Sequence, residues 1–175
     1  MVKFLLTEAI IEKARKYLTI AEKEAFAERN ATLCFDTLQI KTNGEVMPPM
    51  YKENAAKKQR VLMGALVNAY LGLNAETQDG GDMLTEEAYD RFGESHIFTQ
   101  IERMKRRTED PDIRDAIFDL MSDYFQLEKI LSCEIHGLLD AQNDIVTRQQ
   151  QATDAAMKQL PQAIEALKAL QEGKK

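Results

Sequence analysis

The chain has two cysteines, four prolines and no apolar run that approaches the ~20 residues a bilayer-spanning helix needs. A membrane span is therefore not expected. Cys34 and Cys133 are too few for the disulfide framework of a small secreted domain, so a reduced, cytoplasmic setting is the expectation. The leading segment "MVKFLLTEAIIEK" does not read as a signal peptide, because Glu8 interrupts its apolar run after a few residues. Phosphate-cradling glycines are also missing: no Gly-rich loop leads a Lys-Ser/Thr pair into a helix. The "DGGD" stretch around Asp79 and Asp82 invites a calcium reading, yet no register offers alternating oxygen ligands with Gly sixth and Glu twelfth. A plain loop is the expectation there.

The charge that is present is unevenly placed. The net charge of −6 conceals a segment, residues 108 to 144, with ten acids against Arg114 and Lys129. Residues 1 to 107 balance, and the remainder from 145 carries a small basic excess. The sign reverses sharply at "KRRTEDPDIRDAIFDLMSD", where Lys105, Arg106 and Arg107 precede Asp110, Asp112, Asp115, Asp119 and Asp123.

Apolar residues recur at three- and four-residue steps almost throughout, which predicts an all-α protein. The expectation is a single domain over 1–175, a bundle of five to seven helices, with a charge-balanced part (1–107) and an acidic long helix plus C-terminal helix (108–171). Thr19-Ile20-Ala21-Glu22 has the capping-box pattern, and a helix break there is preferred over one helix from 7 to about 36. Asn43-Gly44 suits a type I′ turn, so a small β-hairpin is a candidate around residues 38–47. A third helix is read from about 51 to 71, closed by Gly72, and a loop follows with Gly80-Gly81 as its softest point. Thr85 and Ser95 are each read as the cap of a further helix. Asp110-Pro111 is the clearest helix start, with Asp as cap and Pro pre-set for the first turn. Ile113, Ile117, Leu120, Met121, Tyr124, Leu127 and Leu131 then mark a stripe that can run on past Gly137. Beyond Asp140 the stripe thins, which leaves either a fold-back near residue 150 or an exposed helix. Pro161 is read as starting or kinking the last segment, and the 138–170 stretch as a possible homodimer seam.

Metal chemistry has one candidate. Cys133 and His136 are three apart on a helix, and His96 and Cys34 are available as further ligands. The spacing lacks the paired CxxC or HxxxH units of a structural zinc site. Both Glu-His pairs, Glu94/His96 and Glu134/His136, are two apart and diverge, so a di-iron bundle is excluded. No cofactor is called for. The run at 103–107 ends a helix, where the macrodipole favours bases whether or not a phosphate binds, and direct nucleic-acid binding is not expected.

The aspartates carry the functional expectation. At 100° per residue, Asp112, Asp115, Asp119 and Asp123 fall within about 80° of one another. They form an acidic outer stripe, with the apolar face roughly 130° away around the helix. The reading is a non-enzymatic protein-interaction module that docks a basic surface, in its specific form an inhibitor that mimics nucleic acid toward a nucleic-acid-handling protein. The alternatives are a metal-binding helical enzyme or sensor using Cys133 and His136, and a self-associating structural protein.

Overall fold

The structure is a computed structural model that describes residues 4–39, 41–42, 45–46, 49–78 and 81–172, with side chains described outside 41–48 and 166–175. It is mostly helical, with six α-helices among the described residues. Thr19 opens the first long helix, α2 (Ile20–Ala31), after the short α1 (Glu8–Lys13). The capping box forms as the sequence predicts: the Glu22 N–H donates to Thr19 Oγ1 at 3.3 Å, and the Thr19 N–H donates to Glu22 Oε2 at 2.8 Å. Arg15 closes on the same carboxylate at 3.0 Å and, with the two Thr19 bonds, pulls Glu22 down to about 2.

A 3-10 turn (Thr32–Cys34) leads into a ribbon of short strands: β1 (Phe35–Leu38), β2 (Lys41–Thr42), β3 (Glu45–Val46) and β4 (Met50–Glu53). β2 and β3 run antiparallel, with Lys41 opposite Val46 and Thr42 opposite Glu45. β1 pairs with β4 in a second two-stranded sheet, so strand pairing extends beyond the 38–47 hairpin expected from sequence. Asn43 and Gly44, on which the type I′ reading rested, lie outside the described residues.

The third helix begins later than predicted. Met50–Glu53 is strand, and Asn54 caps α3 (Ala55–Gly64) by accepting the Lys57 N–H at 3.1 Å. From Ala65 to Tyr70 the helix widens into a π turn, in which the Leu71 N–H reaches back to the Leu66 carbonyl at 3.0 Å. Gly72 then closes it with φ of 64°, a left-handed conformation that suits glycine. Gly64 has a different reason to be glycine: a Cβ there would run into the Asp82 carbonyl. The loop after Gly72 is tied by Asn68 to the backbone of Ala75 and by Asn30 to Asp82, and Gly80, half of its expected soft point, is outside the described residues.

Thr85 caps α4 (Glu86–Glu94) as predicted, accepting the Ala88 N–H at 3.2 Å. Ser95 does not cap the next helix. It is buried, donates to the Arg91 carbonyl at 2.7 Å and accepts the Phe4 N–H at 2.9 Å. His96, in the left-handed region with φ of 51°, stands at the start of α5 (Ile97–Arg107) instead. Asp110-Pro111 opens α6 (Pro111–Glu172), and Asp110 Oδ1 accepts the Asp112 N–H at 2.8 Å.

α6 is continuous for 62 residues. It passes through Gly137 and residue 150 without interruption, so the fold-back alternative is wrong. Pro161 lies inside the helix and starts no new segment, at a cost of about 3 kcal/mol.

The described chain divides into two compact units. The first comprises residues 1–36 and 53–138. Its core joins Ile11, Phe26 and Ala31 to Leu62, Leu66, Leu84, Ile97 and Ile101, and to the α6 stripe Ile117, Leu120, Leu127, Leu131 and Ile135. The second comprises residues 37–52 and 139–175. Within it Asn143 accepts the Tyr51 N–H at 3.2 Å and donates to the Tyr51 carbonyl at 3.4 Å, so a side-chain amide acts as a strand partner for β4. No helix among the described residues is long and apolar enough to cross a membrane.

Candidate docking face on α6 and the aspartate that leaves it

Three of the four predicted aspartates stand where the sequence puts them. Asp112, Asp115 and Asp119 are exposed on the first turns of α6. None of the three carboxylates has an ion-pair partner among the described residues. Beside them the helix presents Phe118 and Phe125, which are 59% and 51% exposed. The two rings fall within about 20° of each other around the helix and about 100° from the centre of the aspartates. The Phe125 ring meets Tyr124 edge-on at 5.7 Å, and Tyr124 in turn lies 5.8 Å from Phe98. Lys105 Nζ sits 5.2 Å from the Phe118 ring centre, within reach of a cation–π contact. Arg106 and Arg107 remain exposed in the last turn of α5. The outer face of early α6 thus carries an acidic edge and an aromatic edge, with part of the basic run laid against the latter.

Asp123 does not belong to that face, which corrects the four-residue stripe. It is 8% exposed and holds a buried cluster together. Lys23, 3% exposed, pairs with Asp123 Oδ1 and donates to Gln126 Oε1 at 3.1 Å. The Tyr70 hydroxyl donates to Asp123 Oδ2 at 2.7 Å, and the Leu18 N–H donates to the same oxygen at 2.9 Å. Burial by itself would raise the Asp123 carboxyl. The Lys23 ammonium, the Leu18 amide and the Tyr70 hydroxyl outweigh it and hold the group below its ordinary range. Burial and the bond to Asp123 push the Tyr70 phenol far upward, so it stays a donor.

Sequence reasoning missed Lys23 and Tyr70 as partners. A signal was present: Lys23, Phe26, Ala27, Asn30 and Ala31 share one face of α2, and all five are buried. A lysine whose ammonium stays buried on such a stripe needs a counter-charge from another element. Asp123 is the member of the predicted row nearest the apolar sector, only about 20° from Ala116.

The metal candidates do not converge. Cys34 is buried, donates to the Asn30 carbonyl at 3.3 Å, and its thiol is pushed up to about 11 by burial. Cys133 is exposed, while the His136 imidazole lies 3.3 Å from Glu53 Oε2. His96 is exposed at the start of α5. Among the described residues no group of three or more His, Cys, Asp or Glu side chains is placed to hold a metal ion.

An open cleft of about 410 Å³ contains Ser95 and His96 beside Phe4 and Arg103. The Ser95 hydroxyl spends its proton on the Arg91 carbonyl, so the adjacent imidazole does not activate it. No protein-family model matches the sequence, and no curated protein or solved structure matches it either.

Proposed function

We propose that this chain is a non-enzymatic protein-interaction module that docks a basic partner surface through the outer face of early α6. The observation that carries the reading is the juxtaposition on one helix of three carboxylates without an ion-pair partner among the described residues, Asp112, Asp115 and Asp119, with two largely exposed rings, Phe118 and Phe125. Carboxylates steer a cationic partner and set its orientation, while desolvated aromatic side chains supply most of the energy at an interface. A surface with lysines and arginines around an apolar hollow is complementary to both edges.

A nucleic-acid-handling protein has a basic patch of the required sign and is a partner class that fits. Imitation of phosphates alone would need carboxylates without the rings, so the aromatic edge favours a composite protein epitope. A reducing, cytoplasmic compartment suits the exposed Cys133 thiol.

The test is capture by the immobilised chain from lysate of its own source, at low and at physiological salt. A basic protein should be retained at low salt, should weaken as screening shortens to about 8 Å, and should be lost from an Asp112→Asn, Asp115→Asn, Asp119→Asn variant. Equal capture by the triple variant and the wild type would reduce the acidic edge to solvated surface.

A further inference from the structure

We propose that the second half of α6 pairs antiparallel with the same segment of a second copy of this chain, in the register that sets Leu160 of one copy against Ile164 of the other. In the second unit Leu139, Asn143, Val146 and Gln150 follow one another along α6 at steps of four, three and four, and each is half-buried. Asn143 shows what that face serves, since it is bonded to β4 of the ribbon. The same stepping continues through Thr153, Met157, Leu160 and Ile164, and the sequence puts Leu167 at the next position. Yet every residue from Gln151 to Glu165 is exposed, with Met157, Leu160 and Ile164 at 65%, 54% and 45%. Alternating steps of three and four average 3.5 residues, the repeat of a coiled-coil seam.

The segment has little means of sustaining itself alone. Pro161 removes one of its backbone hydrogen bonds, and no ion pair braces it among the described residues. Helices of this length in water depend on packing of one face.

A second copy is the occupant because the stripe is complementary to itself in one orientation. Antiparallel pairing sets Leu160 against Ile164 and Met157 against Leu167, each twice. It closes both ends with the polar pair Thr153 and Gln171. The two charged residues at the seam-flanking position after the second apolar site of the heptad are Asp154 and Lys168. In this orientation they fall opposite each other across the two-fold axis, twice per dimer. Parallel pairing would set Gln149 beside Asp154 and Ala163 beside Lys168, leaving both charges without a partner. The other flank holds Ala156 and Ala163, small enough for close approach of the two backbones.

The test has two arms on the full chain. Sedimentation at tens of micromolar should give a dimer, and a Leu160→Asp, Ile164→Asp variant should sediment as a monomer with its thermal unfolding otherwise retained, because both side chains are exposed in the single chain. For orientation, Leu160→Cys and Ile164→Cys are made separately in a Cys133→Ser background, with Cys34 sequestered in the core. Oxidation of the mixture should give a cross-linked pair, and oxidation of either variant alone should not. A wild-type monomer at every concentration, a dimer that survives the double aspartate variant, or cross-linking by either cysteine variant alone would overturn the proposal.

Discussion

Side-chain amides do much of the holding in this protein. Gln100 accepts the Leu6 N–H at 2.7 Å and donates to the Phe4 carbonyl at 3.0 Å, so an extended N-terminal segment finds its ladder on a helix. Asn68 does the same for the N–H and carbonyl of Ala75, and Asn30 accepts the Asp82 N–H at 2.9 Å. Removing one such amide strands backbone groups that lack a strand neighbour, at a cost of about 1–3 kcal/mol. Gln100→Ala should therefore destabilise the fold by that amount in urea unfolding and sharply accelerate hydrogen exchange at the Leu6 amide. Unchanged exchange there would show that the segment is held by something else.

The buried pair makes a second demand at this scale. Asp123→Asn leaves the Lys23 ammonium buried without its counter-charge, and a loss of about 3–5 kcal/mol is expected. Asp119→Asn, on exposed surface, should stay within about 0.5 kcal/mol of wild type. The native Asp123 carboxyl lies below its unfolded value, so its contribution is complete above the unfolded pKa of about 3.9 and is lost as pH falls through the native value. Acid titration of stability should thus be shallower in Asp123→Asn than in wild type. Parallel titrations would deny Asp123 that role.

Elements with a local chemical signature are legible in the sequence. The Thr19/Glu22 box, the Thr85 cap, the Asp110-Pro111 start and the buried stripe of α6 all depend on near neighbours in sequence, and all appear as read save that Met121 of the stripe is only half-buried. The misreadings depended on distant neighbours. Ser95 has cap chemistry, but the Phe4 N–H and the Arg91 carbonyl claim it. Met50–Glu53 resembles the first turn of a helix until β1 supplies a strand partner. Asp123 lies on the border of two helix faces, and Lys23, Tyr70 and the Leu18 amide, all distant in sequence, decide which side it joins.

The glycines separate the same two causes. Gly64→Ala should be strongly destabilising, since its Cβ meets the backbone of Asp82, which no rotamer change can relieve. Gly137→Ala meets nothing within 4 Å and sits inside α6, so it should add about 0.5–1 kcal/mol of stability. Thermal unfolding of the two variants checks both signs. A stabilised Gly64→Ala would mean that the loop around Asp82 yields freely.

For the whole molecule, charge and hydrophobicity are divided along one helix. Early α6 spends its inner face on the core of the first unit and leaves carboxylates and rings outward. The sequence locates the acidic excess, and its outer face reads there as charge alone, because Phe118 and Phe125 belong neither to the aspartate row nor to the apolar stripe and enter neither reading. Their exposure follows from burial of the neighbouring Ile117, Leu120 and Tyr124, which fill the inner sector completely.

The claim that this outer face is a docking surface is tested most directly by association kinetics. The captured partner would be flowed over wild type, the triple Asn variant at 112, 115 and 119, and a Phe118→Ala, Phe125→Ala variant. The triple Asn variant should lose about tenfold or more in on-rate at low salt with little change in off-rate, as expected when steering is removed. The double alanine variant should instead dissociate at least tenfold faster. Both variants binding and releasing the partner at wild-type rates, while Asp123→Asn alone disturbs the fold, would contradict the account.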